Sequence, residues 1–133
     1  MMVTTQHEHT ALQGCRILVV EDEYMIAEEV AVDLSDAGVD VLGPVPTVSD
    51  ALHMIGAADL IDCALLDVNL GMEPIWPVVD ALLARQVPLL LATGYDACAI
   101  PKTYAHLPRC EKPASGKDIV RALSQVLATT ASR

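Results

Sequence analysis

Three unbroken apolar runs, Ile17–Val20, Cys63–Leu66 and Leu89–Ala92, leave few folds open to this 133-residue chain. A strand with one wet face alternates apolar and polar residues. A strand that is apolar at every position must be covered on both faces. Two further segments are interrupted: Val39–Leu42 by Asp40, and Leu107–Cys110 by Pro108 and Arg109. A charge and a proline are tolerated at a sheet edge, so these two are expected as edge strands.

Helical spacing fills the intervals. Ile26, Val30 and Leu34 form a first apolar stripe that ends near Gly38. Thr47 and Asp50 have capping-box spacing and open a second helix running towards Ala58. Pro74 suits the start of a third, with Pro77 in its first turn and Val78, Val79, Leu82 and Leu83 on its buried side. A short fourth is expected over Asp96 to Tyr104, broken by Pro101. Ser115 and Asp118 cap a fifth, striped by Ile119, Leu123, Val126 and Leu127. Strands alternating with helices require right-handed crossovers and a parallel sheet between two helix layers. With the second and fifth strands at the edges, the expected fold is α/β: a doubly wound, five-stranded parallel sheet of order 2-1-3-4-5, flavodoxin-like, in three α/β/α layers. Residues 1–14 are expected as a flexible tail, 15–128 as the domain and 129–133 as a short C-terminal tail.

Charge narrows the partners. The net charge of −10, with no basic run, repels phosphate backbones and anionic lipid. The four aromatics (Tyr24, Trp76, Tyr95 and Tyr104) are too few for a base-stacking platform, so no direct nucleic-acid partner is expected. Trp76 and Met72 are assigned to packing. No apolar run approaches the ~20 residues of a membrane helix, and Met1–Gln13 has no apolar core of a signal peptide. Cytoplasmic location is expected. Cys15, Cys63, Cys98 and Cys110 show no C-x-x-C spacing, and Cys63 and Cys110 are expected as buried free thiols. His7-Glu8-His9 is assigned to solvated tail rather than to a metal site.

In this fold ligands gather at the carboxyl ends of the strands. There the first strand delivers Glu21, Asp22 and Glu23, the third Asp67, Val68 and Asn69, the fourth Thr93-Gly94, and the fifth Glu111-Lys112-Pro113. Two carboxylates ~4 Å apart repel by about 4 kcal/mol at an effective dielectric of ~20. Bringing Glu21, Asp22 and Asp67 together therefore calls for protons, a cation or Lys112. Magnesium suits such a set, because it takes one or two carboxylates and keeps its waters for phosphate oxygens. Lys112 would supply a point charge and Thr93 a hydroxyl donor to further phosphate oxygens. Asp67, facing the metal, would be the nucleophile that forms an aspartyl phosphate. Taken singly, an acidic triplet is a solvated helix N-terminus, Thr93-Gly94 a turn and Lys112 a surface lysine; the set carries the argument.

These residues, in order and at these strand ends, resemble the receiver domains of two-component response regulators over roughly Arg16 to Leu127. The resemblance implies that Asp67 is the phosphoacceptor, with Glu21 and Asp22 as the acidic pocket and Asp22 the more direct magnesium ligand. It implies that Asn69 offers its backbone carbonyl to the metal, that Thr93 swings towards the phosphoryl group, and that Lys112 pairs with it across a cis bond to Pro113. Leu91-Ala92-Thr93-Gly94-Tyr95, with Asp67-Val68-Asn69-Leu70-Gly71, is similar to the single-domain subgroup marked by Phe-Ala-Thr-Gly-Tyr. Two positions depart. Arg109 stands where many receivers carry a switch aromatic, so Tyr95 is the candidate replacement and Arg109 is assigned to edge-strand charge. Ala114 stands where that subgroup commonly has an aromatic.

The expected function is a stand-alone receiver rather than an enzyme. It would take a phosphoryl group from a histidine kinase or a histidine phosphotransfer protein, and act on a downstream protein or as a phosphate sink. With six residues after Leu127, no output domain is expected. Asn69 and Tyr95, two positions beyond the aspartate and the threonine, would screen attacking water and set the phosphoryl lifetime. Two rivals stand beside this reading. A magnesium-dependent aspartyl phosphohydrolase would normally carry an acid where Asn69 stands. A phosphate-independent interaction module would have no use for the intact pocket.

Overall fold

A computed structural model describes residues 11–71, 73–94, 100–112 and 114–131. Its parallel sheet contains β1 (Arg16–Val20), β2 (Asp40–Val45), β3 (Cys63–Asp67), β6 (Leu89–Thr93) and β7 (Arg109–Glu111), in the order β2-β1-β3-β6-β7. This is the doubly wound order expected from the sequence, with a small antiparallel hairpin, β4 (Asn69–Leu70) and β5 (Glu73–Pro74), added beside it. The helices are α1 (Tyr24–Asp36), α2 (Val48–Ala57), α3 (Trp76–Ala84) and α4 (Gly116–Ala131).

The apolar runs explain the layers. Successive side chains along a strand point to opposite faces. Leu18, Val20, Ala64, Leu66, Leu89 and Leu91 join one core with Ala51 and Ile55 of α2 and Val78, Val79 and Leu82 of α3. Ile17, Val19, Cys63, Leu65, Leu90 and Ala92 join a second with Val30 and Leu34 of α1 and Ile119, Leu123 and Val126 of α4. Every residue of β3 and β6 is buried. The Thr47 hydroxyl accepts from the Asp50 amide at 3.0 Å and the Ser115 hydroxyl from the Asp118 amide at 3.1 Å, so both expected caps form.

Several boundaries differ from expectation. The segment assigned to a tail contributes Leu12, fully buried in the second core, and the Gly14 amide donates to the Gly38 carbonyl at 2.8 Å. One leucine among polar residues has no periodicity to announce it. At the other end α4 continues to Ala131, into the expected C-terminal tail. The second strand runs on to Val45. It skips a residue against β1 between Leu42 and Val45, where Gly43 has φ +98° and precedes a cis bond to Pro44. The fifth strand is Arg109–Glu111 rather than Leu107–Cys110. Helix α3 starts at Trp76, with Pro77 in its first turn as expected, while Pro74 pairs with Asn69 in the hairpin. Leu83, assigned to the buried side of α3, is 41% exposed. Of the expected fourth helix, Lys102–Tyr104 forms a 3-10 turn. Residues 95–99 lie outside the described residues, as do His7-Glu8-His9, Met72 and Pro113. Tyr95, Cys98 and the expected cis bond at Pro113 therefore have no structural account. Among the described residues Cys63 is buried and Cys15 and Cys110 are half-buried, all free thiols. No helix among them is long and apolar enough to cross a membrane.

Candidate functional site

The polar groups at the strand ends are the exception in an apolar sheet. Glu21, Asp67 and Thr93 are the buried polar residues among those described. Asp67 ends β3 and is 2% exposed. Its Oδ1 accepts the Asn69 amide at 3.0 Å and its Oδ2 accepts from Lys112 Nζ at 3.2 Å. The same ammonium lies 3.3 Å from Glu21 Oε1, so Lys112 bridges two carboxylates from neighbouring strands. Glu21 Oε2 accepts the Glu23 amide at 3.1 Å, and the Glu21 amide is itself tied to the Val45 carbonyl at 3.0 Å. Each carboxylate is thus held by a backbone N–H of the turn that follows it and by one shared cation.

Electrostatics follow from that crowding. Burial, and then the Asp67 carboxylate beside it, push the Glu21 carboxyl up to about 7 from an ordinary 4.5, although the Glu23 amide and Lys112 pull the other way. Burial by itself would lower the Lys112 ammonium; Asp67 and Glu21 outweigh it and hold its pKa above the ordinary value. The ammonium stays charged at neutral pH and cannot neutralise both carboxylates. The site therefore has capacity for a further cation.

The remaining expected residues fall on the same rim. Asp22 is exposed in the turn after β1, and oxygens of Glu21, Asp22 and Asp67 lie within 4.8 Å of one another. An all-oxygen set with two buried members fits a hard divalent cation. Asn69 begins the hairpin opposite Pro74, which has no N–H to give, so its carbonyl receives nothing from that partner. Gly71 has φ +57° in the hairpin turn, and a Cβ added there would lie 3.7 Å from the Asp22 carboxylate. Thr93 ends β6; among the described residues its hydroxyl makes a long 3.5 Å bond to the Cys110 carbonyl, while its own carbonyl accepts the Lys112 amide at 2.7 Å. That backbone bond, in register with the β6–β7 pairing, delivers Lys112 to Asp67. Arg109 is an exposed edge-strand charge whose guanidinium donates to the Ala105 carbonyl at 2.8 Å, as assigned.

Three features of the structure were not foreseen. The hairpin is one; its Glu73 carboxylate accepts the Val48 amide at the start of α2, at 3.3 Å. A glycine after Asn69-Leu70 was its one sequence signal. The second is a pair of stacked rings, Trp76 and Tyr104, 4.6 Å apart and 6° from parallel, with the Tyr104 hydroxyl on Asp80 at 2.8 Å. Packing was the expectation for Trp76, and this is its packing partner. The third is a cavity of about 230 Å³ between the site and helices α1 and α4.

A doubly wound α/β domain with an acidic pocket, a buried strand-end aspartate and a bridging lysine is a defined class of molecule. Comparison with solved structures identifies it. SdrG from Sphingomonas melonis Fr1 is 36% identical, with TM-score 0.74, over 88% of this chain and 98% of that one. The BeF3-activated conformation of SdrG from Pseudomonas melonis Fr1 is 34% identical, with TM-score 0.72, over 84% and 95%. A response regulator receiver protein from Sinorhizobium medicae WSM419 shares the fold at 23% identity, with TM-score 0.73, over 88% and 97%. No family model matches the chain, and no curated protein does. The chain belongs to the response regulator receiver domains.

Proposed function

We propose that Asp67 accepts a phosphoryl group from a phosphohistidine of a kinase or a histidine phosphotransfer protein. The observation that carries this reading is the Lys112 ammonium held between Asp67 and Glu21 at 3.2 and 3.3 Å. A carboxylate oxygen of Asp67 attacks phosphorus. The P–N bond of the donor breaks, and its electron pair returns to the imidazole, which leaves neutral once the ring proton balance is restored by solvent. The Asn69 amide and Lys112 hold the two Asp67 oxygens and so aim the carboxylate before the donor arrives. Asp22, Asp67 and the Asn69 carbonyl, with Glu21 alongside, would hold magnesium, which would supply positive charge against the carboxylates and the phosphoryl oxygens.

Phosphorylation adds about −1.5 to −2 of charge. Lys112 then pairs with the phosphoryl oxygens, and the weakly bonded Thr93 hydroxyl turns towards them. Asp67 and Thr93 end β3 and β6, so the loops beyond those two strands shift, and partner binding changes with them. The chain works as a phosphoacceptor rather than as an enzyme, in the cytoplasm, through contact with another protein or as a phosphate sink. Direct contact with nucleic acid or membrane is not part of this reading. Support for an activated state comes from the SdrG relative, solved in a BeF3-activated conformation.

Intact mass after incubation with acetyl phosphate tests the reading. One phosphoryl addition is expected with magnesium, none with chelator and none on Asp67→Asn. Absence of addition from acetyl phosphate and from a phosphorylated kinase alike would hand the fold to phosphate-independent binding.

A further inference from the structure

The cavity beside the site has features that phosphoryl transfer does not use. Its walls are apolar: Val30 of α1, Leu65 of β3 and Ile119 of α4 face the small side chains Cys110 and Ala114. Its volume of about 230 Å³ exceeds the roughly 150 Å³ of an apolar cavity known to take up benzene. Gly116 cannot supply the missing bulk, because an added Cβ would fall on the Asp33 carboxylate.

Four carboxylates line this apolar chamber, against the single ammonium of Lys112. The two buried ones, Glu21 and Asp67, share that ammonium. The outer two, Glu29 and Asp33, stand one helical turn apart on α1 and repel each other. Neither has a basic side chain paired to it among the described residues. A bare metal ion would satisfy the carboxylates and leave the chamber empty. A neutral hydrocarbon would fill the chamber and leave Glu29 and Asp33 without a counter-charge. An anion would be repelled by both the mouth and a chain of net charge −10.

We propose that this cavity binds a small aryl-alkyl ammonium ion, its ring against Ala114 and Ile119 and its charged end between Glu29 and Asp33. Binding itself does not depend on phosphoryl transfer. Its consequence does rest on the proposed function: the inner end of the chamber is Asp67 and Lys112, so a bound ring changes the surroundings of the phosphoacceptor.

The test is a titration of the ¹⁵N-labelled 133-residue chain, in saturating magnesium, with 2-phenylethylammonium and with 3-phenylpropionate. Saturable shifts at Val30, Ala114 and Ile119 are expected for the cation, with the anion at least about tenfold weaker. Ala114→Leu fills the chamber and should weaken the cation about tenfold; Ala114→Val replaces it if the leucine variant does not give a folded spectrum. Glu29→Gln combined with Asp33→Asn should weaken the cation several-fold and erase the preference over the anion. Equal binding of cation and anion, undiminished binding to the filled variant, or no saturable shift overturns the proposal. Acetyl phosphate labelling of the same sample separates the two claims. Loss of labelling with amine binding intact removes the phosphoacceptor reading alone, and the reverse removes the amine site alone.

Discussion

The two faces of the sheet are built from the same five strands, yet they are packed differently. On the α2–α3 face, Leu66, Leu82, Leu91, Val78 and Val79 are fully buried in a closed core. On the α1–α4 face, small side chains meet at one place, and about 230 Å³ is left between sheet and helices. A dry void of that size would cost on the order of 5 kcal/mol, comparable to the whole stability of a small domain. The void is sustainable because carboxylates and an ammonium stand at its ends and can hold water or a polar ligand. The face that carries only structure is filled; the face that abuts the chemistry is hollow.

Neighbouring leucines on β3 provide the sharpest test of that difference. Leu66 points into the closed core and Leu65 into the hollow one, where it lines the cavity. Leu66→Ala should cost about 4 kcal/mol and Leu65→Ala about 2, because the second removes atoms that already lack neighbours on one side. Urea unfolding of both variants decides, and equal costs would dissolve the comparison. Enlargement should act with opposite sign on the two faces. Ala64→Val in the closed core should lose about 1–3 kcal/mol through overpacking. Ala114→Val, growing into the cavity, should gain roughly 0.5–1 kcal/mol in the same assay. A loss at Ala114 would mean that the space is committed to something the side chain displaces.

What was legible in the sequence divides along similar lines. A strand covered on both faces must be apolar throughout, so β1, β3 and β6 lie where the apolar runs are, and the residues at or just past their ends announce the site. Asp67, Thr93 and Lys112 could be placed on one rim because strand ends converge in a parallel sheet. Edge strands tolerate proline and charge, which is why Pro44 and Pro108 left the limits of β2 and β7 loosely determined. Two-residue strands have no period, and the β4–β5 hairpin went unseen; Pro74 was mistaken for a helix start on that account. The hollow was illegible for a deeper reason. It arises where small residues of β6, β7 and the turn into α4 face α1, and no single segment records such a meeting.

Glu21 links the hollow face to the chemistry and gives the comparison a pH dependence. Its carboxyl titrates near 7 in the folded chain against an ordinary 4.5, so folding favours the protonated form. In metal-free buffer that contribution is whole below about pH 4.5 and is lost as pH rises through about 7. Glu21→Gln, which mimics the protonated state, should therefore gain roughly 1 kcal/mol at about pH 8 and close to nothing in mild acid. Thermal melts with chelator present measure this. A variant equally stabilised at both pH values would show that the gain is packing rather than charge.

The smallest expected effect tests whether the hollow weakens its helices or only the space between them. Ser115 caps α4 on the hollow face and Thr47 caps α2 on the closed one, each by a single bond to the amide three residues on. A cap is a local interaction, so Ser115→Ala and Thr47→Ala should each cost about 0.5–1 kcal/mol, equal within a few tenths. The first turn of α2 has a second acceptor, because Glu73 takes the Val48 amide. Thr47→Ala should for that reason be the milder of the two. If Ser115→Ala instead costs almost nothing, α4 already frays at its start, and the hollow extends its influence into the first turn of that helix. If it costs several times more than Thr47→Ala, α4 depends on its cap because the sheet beneath offers it less to hold.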